Sequence, residues 1–201
     1  MNIFILRRHS PRHGVSARAG GDFYRTRVAA VEYYCLMVRT GTESEFKKQA
    51  QQVLADHGVT ASLYFFQRRL KKGKGDFFDA PLFPGYLFLQ VEKLTAENLA
   101  LVKKVKNFCR LLPNNTAPQM IRGAALEELK LFMGQGEYLG ISKVVFLPGK
   151  KIRAISGPLV GLEGNVYKVN KKKKQITVIS SLSPDGKKFD LLYQDAELVE
   201  E

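Results

Sequence analysis

The chain has 201 residues, 45% of them apolar, which is enough for one or two domains with cores of their own. Its 32 Lys and Arg against 19 Asp and Glu give a formal charge of +13, which favours polyanionic partners over acidic-protein mimicry or acid-rich ion binding. No apolar run approaches the roughly eighteen residues of a membrane span, and Cys35 and Cys109, each in an apolar strand-like run, read as buried thiols of a reducing cytoplasm rather than a disulfide framework.

Residues 1–31 carry Arg7, Arg8, Arg12, Arg18, Arg25 and Arg27 against the single acid Asp22 and have no usable apolar period. They read as a basic, disordered N-terminal extension or as sequence upstream of the true start. An arginine-rich transit peptide is the alternative; a secretory signal needs a longer apolar run than Ile3–Leu6. The first ordered element is a strand over Tyr33–Arg39, aromatic and β-branched, broken by Thr40-Gly41-Thr42. A helix follows from Glu43 to His57, with Phe46, Ala50, Val53 and Leu54 on one face, Glu43 and Glu45 at its positive end, and Gly58 as its stop.

The run Ala61–Leu70, the tip Lys71–Asp76 and the strand Tyr86–Val91 predict a long, partly open hairpin. A second helix spans Thr95–Lys106 with Thr95 as N-cap, then a short strand Cys109–Leu112 ends at Pro113. A third helix, Gly123–Met133, sets Leu126, Leu129, Phe132 and Met133 on one side. This β-α-β-β-α-β-α order predicts an α+β ferredoxin-like sandwich over 32–135, helices against one sheet face. Residues 136–147 read as a linker. Over 148–201 only short strands are predicted, at Lys151–Ile155, Asn165–Val169, Gln175–Ser180, Phe189–Tyr193 and Glu197–Val199, as in a small SH3-like β-barrel.

Two motifs stand out. In Phe83-Pro84-Gly85-Tyr86, Pro84 fixes φ and Gly85 can take positive φ, so the flanking rings are held rigidly at a strand entry. Either these rings fill the core, or with Tyr33, Tyr34 and Phe108 they form an apolar patch that receives a partner helix. The second motif is Gly157-Pro158-Leu159-Val160-Gly161-Leu162-Glu163-Gly164, in which Gly157, Gly161 and Gly164 permit the turns of a very small barrel. Arg68, Arg69, Lys71, Lys72 and Lys74 gather at the hairpin tip, either as a solvated loop or as contacts to a nucleic-acid backbone. Lys103, Lys104, Lys106 and Arg110 read first as a solvated helix face, as does the tip Lys171–Lys174; RNA contact is the other reading of each.

Tyr33-Tyr34-Cys35-Leu36 with Thr40-Gly41 and Glu43, then Phe83-Pro84-Gly85-Tyr86, then Gly157–Gly164, together resemble the NusG family of transcription elongation factors, with an NGN domain followed by a KOW domain. The resemblance spans about residues 32–201. It implies a monomeric, cytoplasmic, non-enzymatic transcription elongation and antitermination factor without a cofactor. Tyr33, Tyr34, Phe83, Pro84, Gly85, Tyr86 and Phe108 would grip the clamp helices of RNA polymerase, and the hairpin tip would lie near non-template DNA or nascent RNA. It also implies NusE or Rho as partners of the KOW domain, although Leu159 and Leu162 stand where an aromatic contact residue is common. Those leucines and Val38–Glu43 look closer to the LoaP-like antiterminator paralogues. A ribosome-associated KOW-type RNA-binding protein is the competing class, and it leaves Phe83–Tyr86 unexplained. Catalysis finds no support: His9, His13 and His57 make no triad, and two isolated cysteines give no zinc spacing.

Overall fold

The computed structural model describes residues 31–73, 75–182 and 186–197. The expected N-terminal extension, except Val31, the tip residue Lys74 and most of the predicted strand Glu197–Val199 lie outside them. An antiparallel four-stranded sheet has β2 (Ala61–Tyr64), β5 (Tyr86–Val91), β1 (Glu32–Val38) and β6 (Phe108–Leu111) side by side in that order. Helices α1 (Glu43–Asp56) and α2 (Ala96–Lys104) cover one face. Strand alternation decides which residues they meet: Leu36 and Val38 of β1, with Leu87, Leu89 and Val91 of β5, point into that core with Phe46, Ala50 and Leu54 of α1. The expected cap of α2 is present, the Asn98 N–H donating to Thr95 Oγ1 at 3.1 Å, a contribution of about 1 kcal/mol.

The opposite face carries Cys35 and Phe88, and here the expectation of helices on a single face needs correcting. Helix α3 (Gly123–Gln135) packs there, Leu129 and Phe132 being fully buried against Phe66, Phe83 and Phe88. Alternation within the strands gave both faces apolar side chains, so both had to be covered.

The run Ala61–Leu70 is not one strand. It leaves the main sheet at the consecutive buried residues Phe65 and Phe66 and restarts as β3 (Gln67–Lys72), paired with β4 (Asp76–Pro81). The break is held from far along the chain: the Phe65 N–H donates to Glu137 Oε1 at 2.6 Å, and the Gln67 N–H to the Glu137 carbonyl at 2.8 Å. Glu137 also pairs with Lys47 of α1. The segment expected to be a linker is therefore structured. It supplies β7 (Tyr138–Leu139), which runs parallel to β3 in a three-stranded sheet, and then β8 (Ser142–Leu147).

β8 belongs to the C-terminal sheet, ordered β10 (Val166–Asn170), β11 (Gln175–Ile179), β12 (Lys188–Asp195), β8 and β9 (Lys151–Ser156). Four of these strands fall where the sequence places them. The fifth is β8, so Ser142–Leu147 takes a role expected of the C-terminal residues. Val144, Leu159, Leu162, Ile176, Val178, Leu191 and Tyr193 form its core, continuous through Phe189 with the α3 side of the first sheet. Among the described residues no helix is long and apolar enough to cross a membrane.

Candidate docking face and nucleic-acid interface

The Phe83–Tyr86 corner is fixed by its backbone and by one buried carboxylate. Gly85 sits at φ +81°, and a Cβ there would lie 2.9 Å from Thr40 Oγ1 and 3.3 Å from the Val38 carbonyl, so no other residue fits without displacement. The Tyr86 N–H closes the turn on the Phe83 carbonyl at 3.1 Å, and the Val38 N–H donates to the Gly85 carbonyl at 2.9 Å. Glu43 is buried beneath: Oε1 accepts the Gly85 N–H and Oε2 the Gly41 N–H, both at 2.7 Å. One side chain thus joins Thr40-Gly41, the start of α1 and the Pro-Gly corner. Sequence reading assigned Glu43 only to the helix dipole; the signal for its clamping role was a glutamate directly after a Thr-Gly-Thr break.

The seven residues expected to line one patch divide between two faces. Tyr33, Phe83 and Tyr86 belong to the α3 side, and Pro84 is exposed at the corner. Tyr34 and Phe108 do not join them. Tyr34, 6% exposed, sits on the helix-covered face with its hydroxyl donating to Glu32 at 3.0 Å, and burial together with Glu32 pushes its pKa up to about 12. Phe108 stacks on Phe46 of α1 at 6.4 Å. Period-two alternation makes neighbours such as Tyr33 and Tyr34 point apart.

Beside the corner opens a hollow of about 430 Å³, whose lining includes Phe83, Tyr86, Phe88 and Met120, with Arg110 and Lys187 also on its wall. The C-terminal sheet forms part of that wall. Phe83 is 8% exposed because Phe189 of β12 meets it edge-on at 5.7 Å, and Phe132 meets Phe189 at 5.9 Å. Lys187 Nζ lies 4.9 Å from the centre of the Tyr86 ring. Cys35, at the floor, is buried and its thiol pKa is raised by that burial to about 12, whereas Cys109 is exposed, contrary to expectation.

Two polar contacts join the sheets beside this aromatic contact. Glu128 of α3, buried, accepts from Ser180 Oγ at 2.8 Å and from the Ser181 N–H at 2.6 Å; burial raises its pKa and these bonds oppose the rise. Arg68 Nη1 donates to the Asp190 carbonyl at 2.8 Å, and burial lowers its pKa. Arg68 is therefore engaged with the C-terminal sheet and does not extend toward solvent with the tip. Arg69 is partly exposed, and Lys71 and Lys72 are exposed.

In the second motif, Gly157 at φ +87° packs so closely that a Cβ would lie 2.7 Å from Ser142 Cα. Pro158, Leu159 and Leu162 are buried; the Leu159 N–H donates to Ser142 Oγ at 3.0 Å. Glu163 closes the loop, accepting the Gly161 N–H at 2.9 Å and the Ala154 N–H at 3.1 Å. Gly161 faces Leu131 of α3, and Gly164 has open space around its Cα. Lys103, Lys104, Lys106 and Arg110 are exposed. Among the described residues no group of three or more His, Cys, Asp or Glu is placed to hold a metal ion.

Comparison with known proteins agrees with this arrangement. The family model described as "Transcription termination factor nusG" matches residues 31–130. A transcription termination/antitermination protein NusG from Helicobacter pylori (strain J99) is 19% identical over 176 residues, covering 84% of this chain and 99% of that protein. Among solved structures, one titled "Domain interaction in Thermotoga maritima NusG" superposes with a TM-score of 0.53 at 17% identity, covering 81% of this chain and 94% of that one. A chain of the MjSpt4:Spt5 complex gives a TM-score of 0.33 at 13% identity over 80% of this chain and 91% of that one. The chain belongs to the NusG family of transcription termination and antitermination factors.

Proposed function

We propose that this protein binds RNA polymerase through the Phe83–Tyr86 corner and modulates pausing and termination by binding alone, as a cytoplasmic factor without catalysis. The observation that carries the reading is the corner itself: a ring-bearing turn locked by Glu43 beside an apolar hollow, on a strongly basic chain. A helix of the polymerase clamp laid into the hollow would bury Tyr86 and part of Phe83, each ring contributing roughly 1.5–3 kcal/mol. Phe189 and Lys187 stand in the way, so full docking requires the C-terminal sheet to shift from α3. Tyr33, Phe83, Pro84 and Tyr86 make up the docking set, and Arg69, Lys71 and Lys72 extend toward DNA or RNA.

Residues 32–135 would act as the NGN unit and the C-terminal sheet as the KOW unit, with β7 and β8 tying the two together. Buried Leu159 and Leu162 leave no exposed ring at Gly157–Gly164 for NusE or Rho, which favours the specialised antiterminator side of the family. The test is retention of purified core polymerase by the full-length protein, beside single-round transcription through an intrinsic terminator. Tyr86→Ala, at a half-buried ring, should weaken retention about tenfold or more and reduce read-through. Retention and read-through at wild-type levels would show that the corner is structural only.

A further inference from the structure

The three-stranded sheet β4-β3-β7 exposes aromatic surface that neither core uses. Phe77 is 48% exposed, Phe78 44% and Tyr138 43%. Register sorts them by face. Lys71 is opposite Phe77 and Arg69 opposite Asp79, so Arg69, Lys71, Phe77 and Asp79 share one face, away from Arg68, which reaches Asp190. Tyr138, on the strand at the other side of β3, joins that face: its hydroxyl donates to Asp79 at 2.5 Å. The Arg69 guanidinium lies 5.8 Å from the Phe77 ring centre and 5.5 Å from that of Tyr138, and Lys71 Nζ lies 6.0 Å from Phe77. The result is a stripe of ring, guanidinium and ring crossing three strands, about 10 Å from β4 to β7 at ordinary strand spacing.

We propose that this face is a base-stacking platform for single-stranded nucleic acid. The inference rests on the nucleic-acid half of the function proposed above, and adds to it the residues Phe77 and Tyr138. Planar π-faces beside a planar cation match unstacked bases, which duplex DNA keeps inside its own stack. Lys71 and Lys72, exposed at the end of the same hairpin, supply the charge that a backbone needs as it leaves the rings. Asp79 reduces the local charge but holds both the Tyr138 hydroxyl and, at 3.3 Å, Arg69 Nε, keeping the stripe assembled. Interleaved cations distinguish the surface from one built for an apolar protein helix.

The test measures fluorescence anisotropy of labelled oligonucleotides of about twelve nucleotides with full-length protein and no polymerase. Single-stranded DNA and RNA are run in parallel, so that the tighter of the two identifies the source, against a duplex of the same sequence. Phe77→Ala with Tyr138→Ala should weaken single-strand binding about a hundredfold while leaving the slope of affinity against salt unchanged. Lys71→Gln with Lys72→Gln should reduce that slope by about two instead. Phe77→Leu keeps apolar bulk should the double variant misfold, and is expected to lose about tenfold; Phe77→Tyr should bind as wild type. Wild-type affinity in the ring variants, equal affinity for duplex, or displacement by polyglutamate as effective as by unlabelled oligonucleotide would each overturn the platform. The polymerase-docking reading would stand in all three cases, because it is read by retention of polymerase and not by oligonucleotides.

Discussion

The two faces of the first sheet are closed in different ways. One is covered by α1 and α2, which lie next to the strands in sequence, and its core includes Leu36, Phe46 and Leu87, all with no exposed surface. The other is covered by α3 and by a sheet that begins beyond residue 141, through Phe83–Phe189 and Glu128–Ser180. The first closure is built into the folding unit; the second joins it to a separate layer with a sizeable hollow left between them. A face closed by a distant module can be opened without unfolding the strands beneath, and it is the face that bears the Phe83–Tyr86 corner.

That contrast can be broken most severely at the helix-covered core. Phe46→Ala should cost about 3–5 kcal/mol and lower the urea midpoint of the whole first unit. A variant that leaves the midpoint unchanged would mean α1 is not what seals this face. Gly157→Ala, with a Cβ forced onto Ser142 and a left-handed backbone, should cost about 3 kcal/mol but confine the damage to the C-terminal sheet. Hydrogen exchange resolved by residue would show β8, β9 and β12 losing protection while β1 and β5 keep theirs. Equal loss in both sheets would remove the distinction between the faces.

Smaller changes sharpen the comparison. Glu128→Ala leaves Ser180 and the Ser181 N–H without their acceptor, at a cost of about 1–3 kcal/mol to the contact between the layers. It should raise the exchange of Phe83 and Phe88 amides and strengthen polymerase retention; weaker retention would contradict the need for the sheet to move. The same carboxyl gives a pH dependence. Its pKa in the closed arrangement is raised above the ordinary 4.5 by burial, so the closed form holds the proton more tightly than the open one. The contribution is fully present below 4.5 and is lost as pH climbs through the raised value, so exchange of the Phe83 amide should increase over that window. Glu128→Gln should flatten the profile. Lys187→Ala, removing only the cation over Tyr86, should loosen the contact by about 0.5–1 kcal/mol.

Much of the fold could be read from local pattern. The 3.6-residue period placed α1 and α3 to within one or two residues, the Thr95 cap marked α2, and alternation located β1, β5, β9, β10, β11 and β12. The broken strand at Phe65-Phe66 was hidden because the bonds that hold it come from Glu137, more than seventy residues away. Tyr138 was missed for the same reason: inside a supposed linker, no periodicity marked it as the neighbour of Arg69. Phe77 and Phe78 were legible as aromatics in a hairpin, but their exposure was not. Arg68 and Arg69 look equivalent in the chain, yet alternation turns one to Asp190 and the other to the aromatic stripe.

By itself, the sequence determined which segments are helix or strand and that Gly85 had to be glycine at a rigid turn, because backbone sterics and side-chain period act within a few residues. Its positive charge also set the class of partner. Only the tertiary structure decided that Phe189 covers Phe83, that Glu128 reaches Ser180, and that Leu159 is core rather than contact. Those outcomes depend on which distant surfaces meet, and burial is a property of the meeting and not of the residue.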